Sequence, residues 1–462
     1  MDKRSDVVII GAGLAGYCAA LSAAEQGASV VLVEKEAAPG GSSIVSGGSF
    51  AFAQTELQAR SGIDDSTSQL LAELEALAGG HGDVSLMREY CRSQASALQW
   101  LAGMGVQFRK VSLGSNMSVP RSHTTDPRQV FDALGARVAE TPSIDLRTGT
   151  SVRRLLREGE KVVGVAVESA GATSQLRADR GVVLATGGFA RNRELIAKFS
   201  PIMAMADPAG GAGNVGDGLL MAWALGADLC DMAFLNATFG MATRRYGASR
   251  DQQELEQPLL RHAMYLGAIV VNTEGMRFCD ESASYKKIGE NCLSQAGQIG
   301  FQIFDQAIMD LSEVNPSAHD FAGAHAKGHV VSAPSLVELA SLLGVDAGRL
   351  CGTVSRYNAD VATGTDSLLG RRSLSVGYGA MRPIDRPPFY AIPSRTSILA
   401  TYCGVRVNER MEVIDVFGNA IPGLFAAGEV TGGFHGAGYM SGTALGKAAI
   451  FGRIAGLSAA SN

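Results

Sequence analysis

The feature that most constrains this chain lies at its start, where an apolar, β-branched run over 7–10 passes into Gly11-Ala12-Gly13-Leu14-Ala15-Gly16 and an alanine-rich stretch to Gly27. Strand, glycine turn and helix are expected in that order. The next apolar strand, 29–33, ends at Glu34, about 20 residues after the glycines, where a carboxylate can accept hydrogen bonds from ribose hydroxyls. Each part has a physical task. Gly11 makes the turn, Gly13 lets the backbone approach a pyrophosphate, Gly16 permits close helix packing, and the first helical turn, with Ala15, points its dipole at phosphate. A glycine-rich turn in an ordinary βαβ unit is the alternative. Strand, helix, second strand and acid in register favour a dinucleotide site.

Further along, Glu34-Lys35 is followed by Pro39-Gly40-Gly41-Ser42-Ser43 and then Ser46-Gly47-Gly48, a second small-residue loop able to lie against a diphosphate and a flavin ring. A nicotinamide fold does not need it. An alternating strand over 161–168 precedes an apolar run, 181–184, and Ala185-Thr186-Gly187-Gly188, which resembles the element by which two-dinucleotide-fold flavoproteins return the chain to FAD. The run Gly423-Leu424-Phe425-Ala426-Ala427-Gly428-Glu429 is similar to the strand whose acid holds the ribityl chain. The expected cofactor is therefore FAD.

Composition bounds the rest. At 462 residues the chain exceeds what one core usually serves, so two lobes are expected, and its 57 glycines suit close backbone approaches. A net charge of −5 gives no reason to expect nucleic acid. No apolar run reaches the ~18 residues of a transmembrane helix, and a short polar N-terminus without a leader pattern makes the cytoplasm the default. The seven cysteines are scattered, with no C-x-x-C pair, so no metal, iron–sulfur cluster or attached haem is expected and any electron acceptor or donor is external.

Taken with Ser118-Val119-Pro120-Arg121-Ser122-His123, Gly216-Asp217-Gly218, Gly267-Ala268-Ile269-Val270-Val271-Asn272 and Gly275-Met276-Arg277-Phe278, these motifs resemble the fumarate reductase and succinate dehydrogenase flavoprotein superfamily along nearly the whole chain. The resemblance implies an α/β, Rossmann-like FAD domain of the two-dinucleotide-fold type, made of 1–240 and 395–462. An inserted α+β capping domain, 241–394, would complete it, with substrate bound between the lobes. The segment 382–393, with four prolines, reads as a linker. Lys35, Val152, Asp217 and the helix start Thr443-Ala444-Leu445 join the expected cofactor contacts. FAD is expected to be noncovalent, because Gly41-Ser42-Ser43-Ile44 has no histidine where membrane-bound succinate dehydrogenases attach theirs.

The departures from the fumarate reductases are informative. Their proton-donor arginine would fall at Tyr285, the glutamate and arginine feeding it at Arg261 and Met264, a clamping arginine at Tyr439, and clamping histidines at Ala400 and Thr238. Instead, Gly438-Tyr439-Met440-Ser441 and Glu281-Ser282-Ala283-Ser284-Tyr285 resemble active-site segments of 3-ketosteroid dehydrogenases, the first of them the Δ4-(5α) branch. By that resemblance Tyr439 is the base, Ser441 its proton relay, and Tyr285 with the Gly438 backbone the carbonyl anchors. A polarised ketone has an acidic α-hydrogen, and the β-hydrogen leaves as hydride to flavin N5. A phenol's pKa near 10 is high for a base, so its surroundings must lower it or the relay must carry the proton onward. Other readings stay open: Tyr285 as a core tyrosine, and Ser441 as a cap on the helix beginning near Thr443. The expected reaction is desaturation beside a ketone, of a 3-ketosteroid or a smaller ring. The alternatives are an ene-reductase acting on an unsaturated acid or ketone with an external donor, and a flavin-binding protein without turnover.

Overall fold

A computed structural model describes residues 3–235, 237–242, 260–314, 318–375 and 379–462. Most of the opening of the expected cap, 243–259, lies outside the described residues. The chain divides into two compact units: Met1–Ser200, Gly210–Asn236 and Leu399–Asn462 form one, Pro201–Ala209 and Ala237–Ile398 the other. Among the described residues no helix is long and apolar enough to cross a membrane.

The first unit is α/β. Strands Ala420–Ala426, Ala172–Leu184, Lys3–Ile10, Val30–Val33 and Ile144–Arg147 lie side by side in that order, all parallel. Val7, Val8, Val31, Leu32, Val182 and Val183 are buried, as β-branched runs covered on both faces should be. An antiparallel ribbon, Thr150–Glu158 with Lys161–Ser169, extends from the N-terminal half of Ala172–Leu184. The helix Leu14–Glu25 packs on the C-terminal helix Thr443–Ala460 at backbone distance. A Cβ on Gly452 would stand 2.5 Å from the Ala15 carbonyl oxygen, and one on Gly456 2.2 Å from that of Ala19. Small residues on both helices let the first helix sit with its N-terminus at the ends of the parallel strands, where ligands of such sheets bind.

The second unit is α+β. Its sheet is organised by Phe389–Ile398, which pairs antiparallel with Ile299–Asp305 on one side and, in succession, with Val331–Ala333 and Thr238–Ala242 on the other. Helices Leu336–Leu343 and Ala347–Thr363 contribute Leu339, Leu350 and Val354 to a core with Ile269, Phe301 and Ile303. The proline-rich stretch read as a linker is not one. From Phe389 it runs apolar through Pro393, buried but for the half-buried Phe389, and opens the central strand. Pro393 lies between the segments paired to the two partners on one side, where a residue without an N–H is tolerated.

Candidate active site

Gly11 and Gly16 of the fingerprint act through contact. Gly11 has φ +100°, and a Cβ there would lie 2.4 Å from the Ala185 oxygen; one on Gly16 would lie 1.8 Å from the Gly11 oxygen. Gly13 differs, because a Cβ there would meet only the Gly40 oxygen, at 3.9 Å. Gly47 likewise faces open space, and Gly41, at φ +51°, would touch only the Gly13 Cα, at 3.9 Å. Gly48 instead presses on Thr125 and Pro127. Ser43 closes the short helix Gly41–Ile44, its N–H donating to the Gly40 oxygen at 3.2 Å. Gly13 caps the first helix without any side-chain hydrogen bond, so the first-turn N–H groups, Ala15's among them, stay available to an anion. A glycine-lined cradle at an uncapped helix start fits a dinucleotide pyrophosphate.

The acids are organised by backbone. Glu34 is buried and accepts the Ala12 N–H at 2.8 Å and the Glu36 N–H at 2.9 Å, one on each oxygen, which leaves further lone pairs for ribose hydroxyls. Lys35 and Asp217, both expected to face the cofactor, form an ion pair with each other at 2.6 Å. Val152 lies in the strand Thr150–Glu158, opposite Val167. Glu429 is half-buried and accepts from the Thr401 N–H at 3.0 Å and from Asn214 Nδ2 at 2.9 Å. Burial raises its pKa, against the Asn214 and Thr401 hydrogen bonds and the charge of Lys447. A Cβ on Gly188 would stand 2.1 Å from Thr401 Oγ1 and 2.5 Å from Glu429 Oε1 and so displace the carboxylate, and a Cβ on Gly428 would meet the Ala15 Cβ at 2.8 Å. Gly187, at φ +73°, makes the turn. Thr186 Oγ1 is buried without a hydrogen-bond partner among the described residues, as expected where a ligand supplies one. FAD fits this donor and acceptor set.

Asn214 is the residue that sequence reading missed. Its Oδ1 accepts the Ala190 N–H at 2.7 Å, while Nδ2 donates to Ser42 Oγ at 3.0 Å and to Glu429. One amide thus ties the second glycine loop to the acid near the C-terminus. Its place two residues before Gly216-Asp217-Gly218 is the only signal for it.

The Gly438–Ser441 segment is held by the loop at 115–116: Asn116 Nδ2 donates to the Tyr439 carbonyl at 2.8 Å, and Ser441 N–H donates to the Ser115 carbonyl at 3.1 Å. Two features differ from expectation, and the alternative reading of Ser441 as a cap falls. The Gly438 N–H, expected to meet a substrate carbonyl, donates to the His435 oxygen at 3.2 Å. Glycine is required there because a Cβ would lie 2.3 Å from the Leu77 oxygen. Ser441 does not cap the C-terminal helix: Gly442 takes the N-cap position at φ +85°, and Ser441 Oγ accepts the Ser115 N–H at 3.1 Å. Finally, the surroundings of Tyr439 do not lower its pKa on balance. Burial raises it, and the hydrogen bonds from Gly442 N–H, the Tyr402 hydroxyl and Ala444 N–H only partly offset this.

Even so, the Tyr439 oxygen is placed at a helix start. It accepts the Gly442 N–H at 3.2 Å, and Thr443, Ala444 and Leu445 form the first turn of Thr443–Ala460. Thr443 Oγ1 donates to the Met440 oxygen at 2.6 Å and lies 3.0 Å from His435 Nε2. Behind this turn the buried ammonium of Lys447 donates to the Thr431 carbonyl at 2.6 Å; burial pulls its pKa to about 8, against the charges of Glu429 and Asp231.

On the second unit, Tyr285 begins the helix Tyr285–Leu293. Its ring stacks on His262, centroids 4.9 Å apart, and burial first, with nearby cations adding, pushes the His262 pKa down to about 3, so that imidazole is neutral. The next residue, Lys286, is buried and donates to Thr238 Oγ1 at 2.6 Å. Nothing in the sequence around it marks this lysine apart from Lys287 beside it.

Residues 6–445 match the family described as FAD binding domain. A probable fumarate reductase of Shewanella frigidimarina is 31% identical over 99% of this chain and 75% of its own length. Among solved structures, the open conformation of a flavocytochrome c3 fumarate reductase aligns with TM-score 0.83 and 29% identity, covering 99% of this chain and 78% of that one. The 3-ketosteroid-Δ4-(5α)-dehydrogenase of Rhodococcus jostii RHA1, in complex with 4-androstene-3,17-dione, aligns with TM-score 0.79 and 28% identity, covering 99% and 97%.

Proposed function

Because the chain belongs to the FAD-binding-domain family and is an FAD-dependent oxidoreductase of CH–CH bonds, we propose that it desaturates the Cα–Cβ bond beside a ketone. The substrate class is a cyclic ketone, a 3-ketosteroid or a smaller ring. Bound flavin supplies the hydride acceptor for the β-hydrogen. The observation that supports this reading most is the Tyr439 oxygen, a buried phenol held at the start of a helix by the Gly442 N–H at 3.2 Å. Such an oxygen can take a proton; it cannot neutralise a carboxylate as an arginine would. The N–H and O–H donors there favour the charged form and offset part of the rise that burial causes. We assign the polarising hydrogen bond on the ketone oxygen to Tyr285, whose neutral His262 neighbour adds no charge. The enolate character that develops would then be met by a phenol O–H, a donor that strengthens as charge grows. Glu34 would hold the adenosine ribose, Glu429 the ribityl chain, and the Gly13 cradle the pyrophosphate.

A second reading is favoured by Lys286, a buried cation hydrogen-bonded to Thr238. An ammonium there can receive a substrate carboxylate, which suits reduction of an unsaturated acid by an external donor. Anaerobic mixing of the holoprotein with a panel of saturated ketones decides between the two. Bleaching of the flavin by a ketone, with no viologen-driven reduction of fumarate or another unsaturated acid, is the expected result. Robust turnover of such an acid, with no bleaching by any ketone, would replace the first reading by the second.

A further inference from the structure

Tyr402 stands on the loop before Gly404–Val405 with φ +60°. A bulky side chain is rarely found in the left-handed region, and where one persists its surroundings hold it there. Glycine or asparagine would be easier at this position on backbone grounds alone, so the side chain is what the position keeps. That side chain is buried. Its ring lies on the Tyr439 ring, centroids 4.5 Å apart and 23° between planes, and it meets His435 at 4.9 Å. Its hydroxyl is a hydrogen-bonding partner of the Tyr439 hydroxyl, and is the donor of the pair whenever Tyr439 is ionised. Ser441, by contrast, uses its oxygen to accept the Ser115 N–H.

The donors at this oxygen have a consequence. The Gly442 N–H, the Ala444 N–H and the Tyr402 hydroxyl all approach the Tyr439 oxygen. A neutral phenol has two lone pairs and must also place its own hydrogen, whereas a phenolate has room for three donors. Two of the donors are backbone and present in any sequence that forms the helix start. The third is specific to this side chain.

We propose that Tyr402 is the positioning residue for Tyr439: stacking fixes the phenol, and the Tyr402 hydroxyl holds the Tyr439 oxygen in the form that receives a substrate proton. The role rests on the proposed ketone reaction, but the contact can be read without it. Among the described residues, the ionisable groups facing Tyr439 include Tyr402 itself, His435 on the preceding loop, with rings 5.4 Å apart, and Tyr90 of the helix Val84–Gly103, whose pKa a charge on Tyr439 raises.

The test places a fluorinated tyrosine at 439 in the full-length, FAD-loaded protein and follows its fluorine resonance with pH, with Tyr402 intact and in Tyr402→Phe. Loss of the donor should move the ionisation midpoint up by about one pH unit, tenfold in acidity. With an active ketone, flavin bleaching in Tyr402→Phe should slow about tenfold with KM unchanged, while FAD content and melting temperature hold. An unchanged midpoint overturns the proposal even if ketones bleach the wild type. A shifted midpoint in a protein that no ketone bleaches upholds the positioning role and removes the ketone reading. Should Tyr402→Phe fail to retain FAD, Tyr402→Asn, which the left-handed backbone accepts more readily and which removes ring and hydroxyl together, should also raise the midpoint, and an unshifted midpoint there overturns the proposal.

Discussion

In the first unit glycine is the commonest residue type among those expected to hold the cofactor, and what the glycines contribute is space: open at Gly13 and Gly47, filled by backbone at Gly11 and Gly16. In the second unit the comparable buried polar residues are long side chains. Arg277 reaches Glu281 at 2.8 Å and Asp366 at 2.8 Å, while Arg371 donates to the carbonyls of Met264 at 2.7 Å and Ala268 at 3.0 Å. The glycines of the first unit would meet a ligand by backbone shape, whereas the Arg277 cluster of the second fixes that unit's interior by charge pairing, as Arg121 with Asp65 does away from the glycines in the first. Substitution should therefore separate them. Damage to the first should appear in cofactor affinity and chemistry with the fold kept, and damage to the second in stability.

The largest effect should come at Tyr439. Tyr439→Phe deletes one oxygen and preserves a buried ring, so FAD content and melting temperature should stay near wild type while flavin reduction by the preferred ketone falls about 10²–10⁴-fold, the usual worth of a general base. Rapid-mixing absorbance measures it. A wild-type rate would move the role of base to Ser441 or a water.

This difference between units also explains what was legible. The strand, glycine turn, second strand and Glu34 could be read because backbone geometry demands those residue types at that spacing. Asn214 could not, since an amide bridging Ala190, Ser42 and Glu429 is fixed by three distant segments and leaves no periodic mark. The G-x-R-F-x-x-E run was visible as a landmark, but its physical content, an Arg277–Glu281 pair completed by Asp366, depends on a partner 89 residues away. The stretch 382–393 reads as a linker because its four prolines count against a strand on average, but only Pro393 falls within Phe389–Ile398, between two partner segments, where it does not break the pairing. Gly438 was read as a donor to substrate when the need for it lies in packing against Leu77.

The second unit's prediction follows from that triad. Arg277→Met leaves the Glu281 and Asp366 carboxylates buried without their principal cation, which typically costs about 3–5 kcal/mol. Calorimetry should show a clear fall in melting temperature. Equilibrium dialysis on the folded fraction should give nearly unchanged FAD affinity. A large loss of FAD affinity at unchanged stability would reverse the division of labour argued above.

Tyr285 tests whether the second unit also takes part in chemistry. Tyr285→Phe keeps the ring on His262 and removes the donor proposed for the ketone oxygen, a loss of about 2.7–4 kcal/mol in the rate of flavin reduction by analogy with oxyanion donors. Combined with Tyr439→Phe, the two losses should fall short of additive, because groups acting on one transition state are not independent. Full additivity would make Tyr285 a packing residue whose substitution perturbs the protein by another route.

The smallest predicted effect is the one that most sharpens the account of the first unit. Glu34 is assigned to the adenosine ribose, yet its oxygens also accept the Ala12 and Glu36 N–H groups at 2.8 and 2.9 Å. Glu34→Ala therefore removes a ligand contact and unties two backbone donors together. Losing charged acceptors for the ribose hydroxyls should weaken FAD binding by about 1.5–3 kcal/mol, but disorder of the glycine turn would weaken it too. FMN separates the two causes, because it carries the flavin and one phosphate but no adenosine. If the carboxylate acts on the ribose, Glu34→Ala should lower FAD affinity in calorimetric titration of the apoprotein and leave FMN affinity near the wild-type value. If it serves only to shape the turn, both should weaken alike as the Ala12 N–H swings out of place. Equal FAD affinity in variant and wild type would remove Glu34 from the cofactor site and leave the glycines, with the uncapped helix start, to hold the dinucleotide alone.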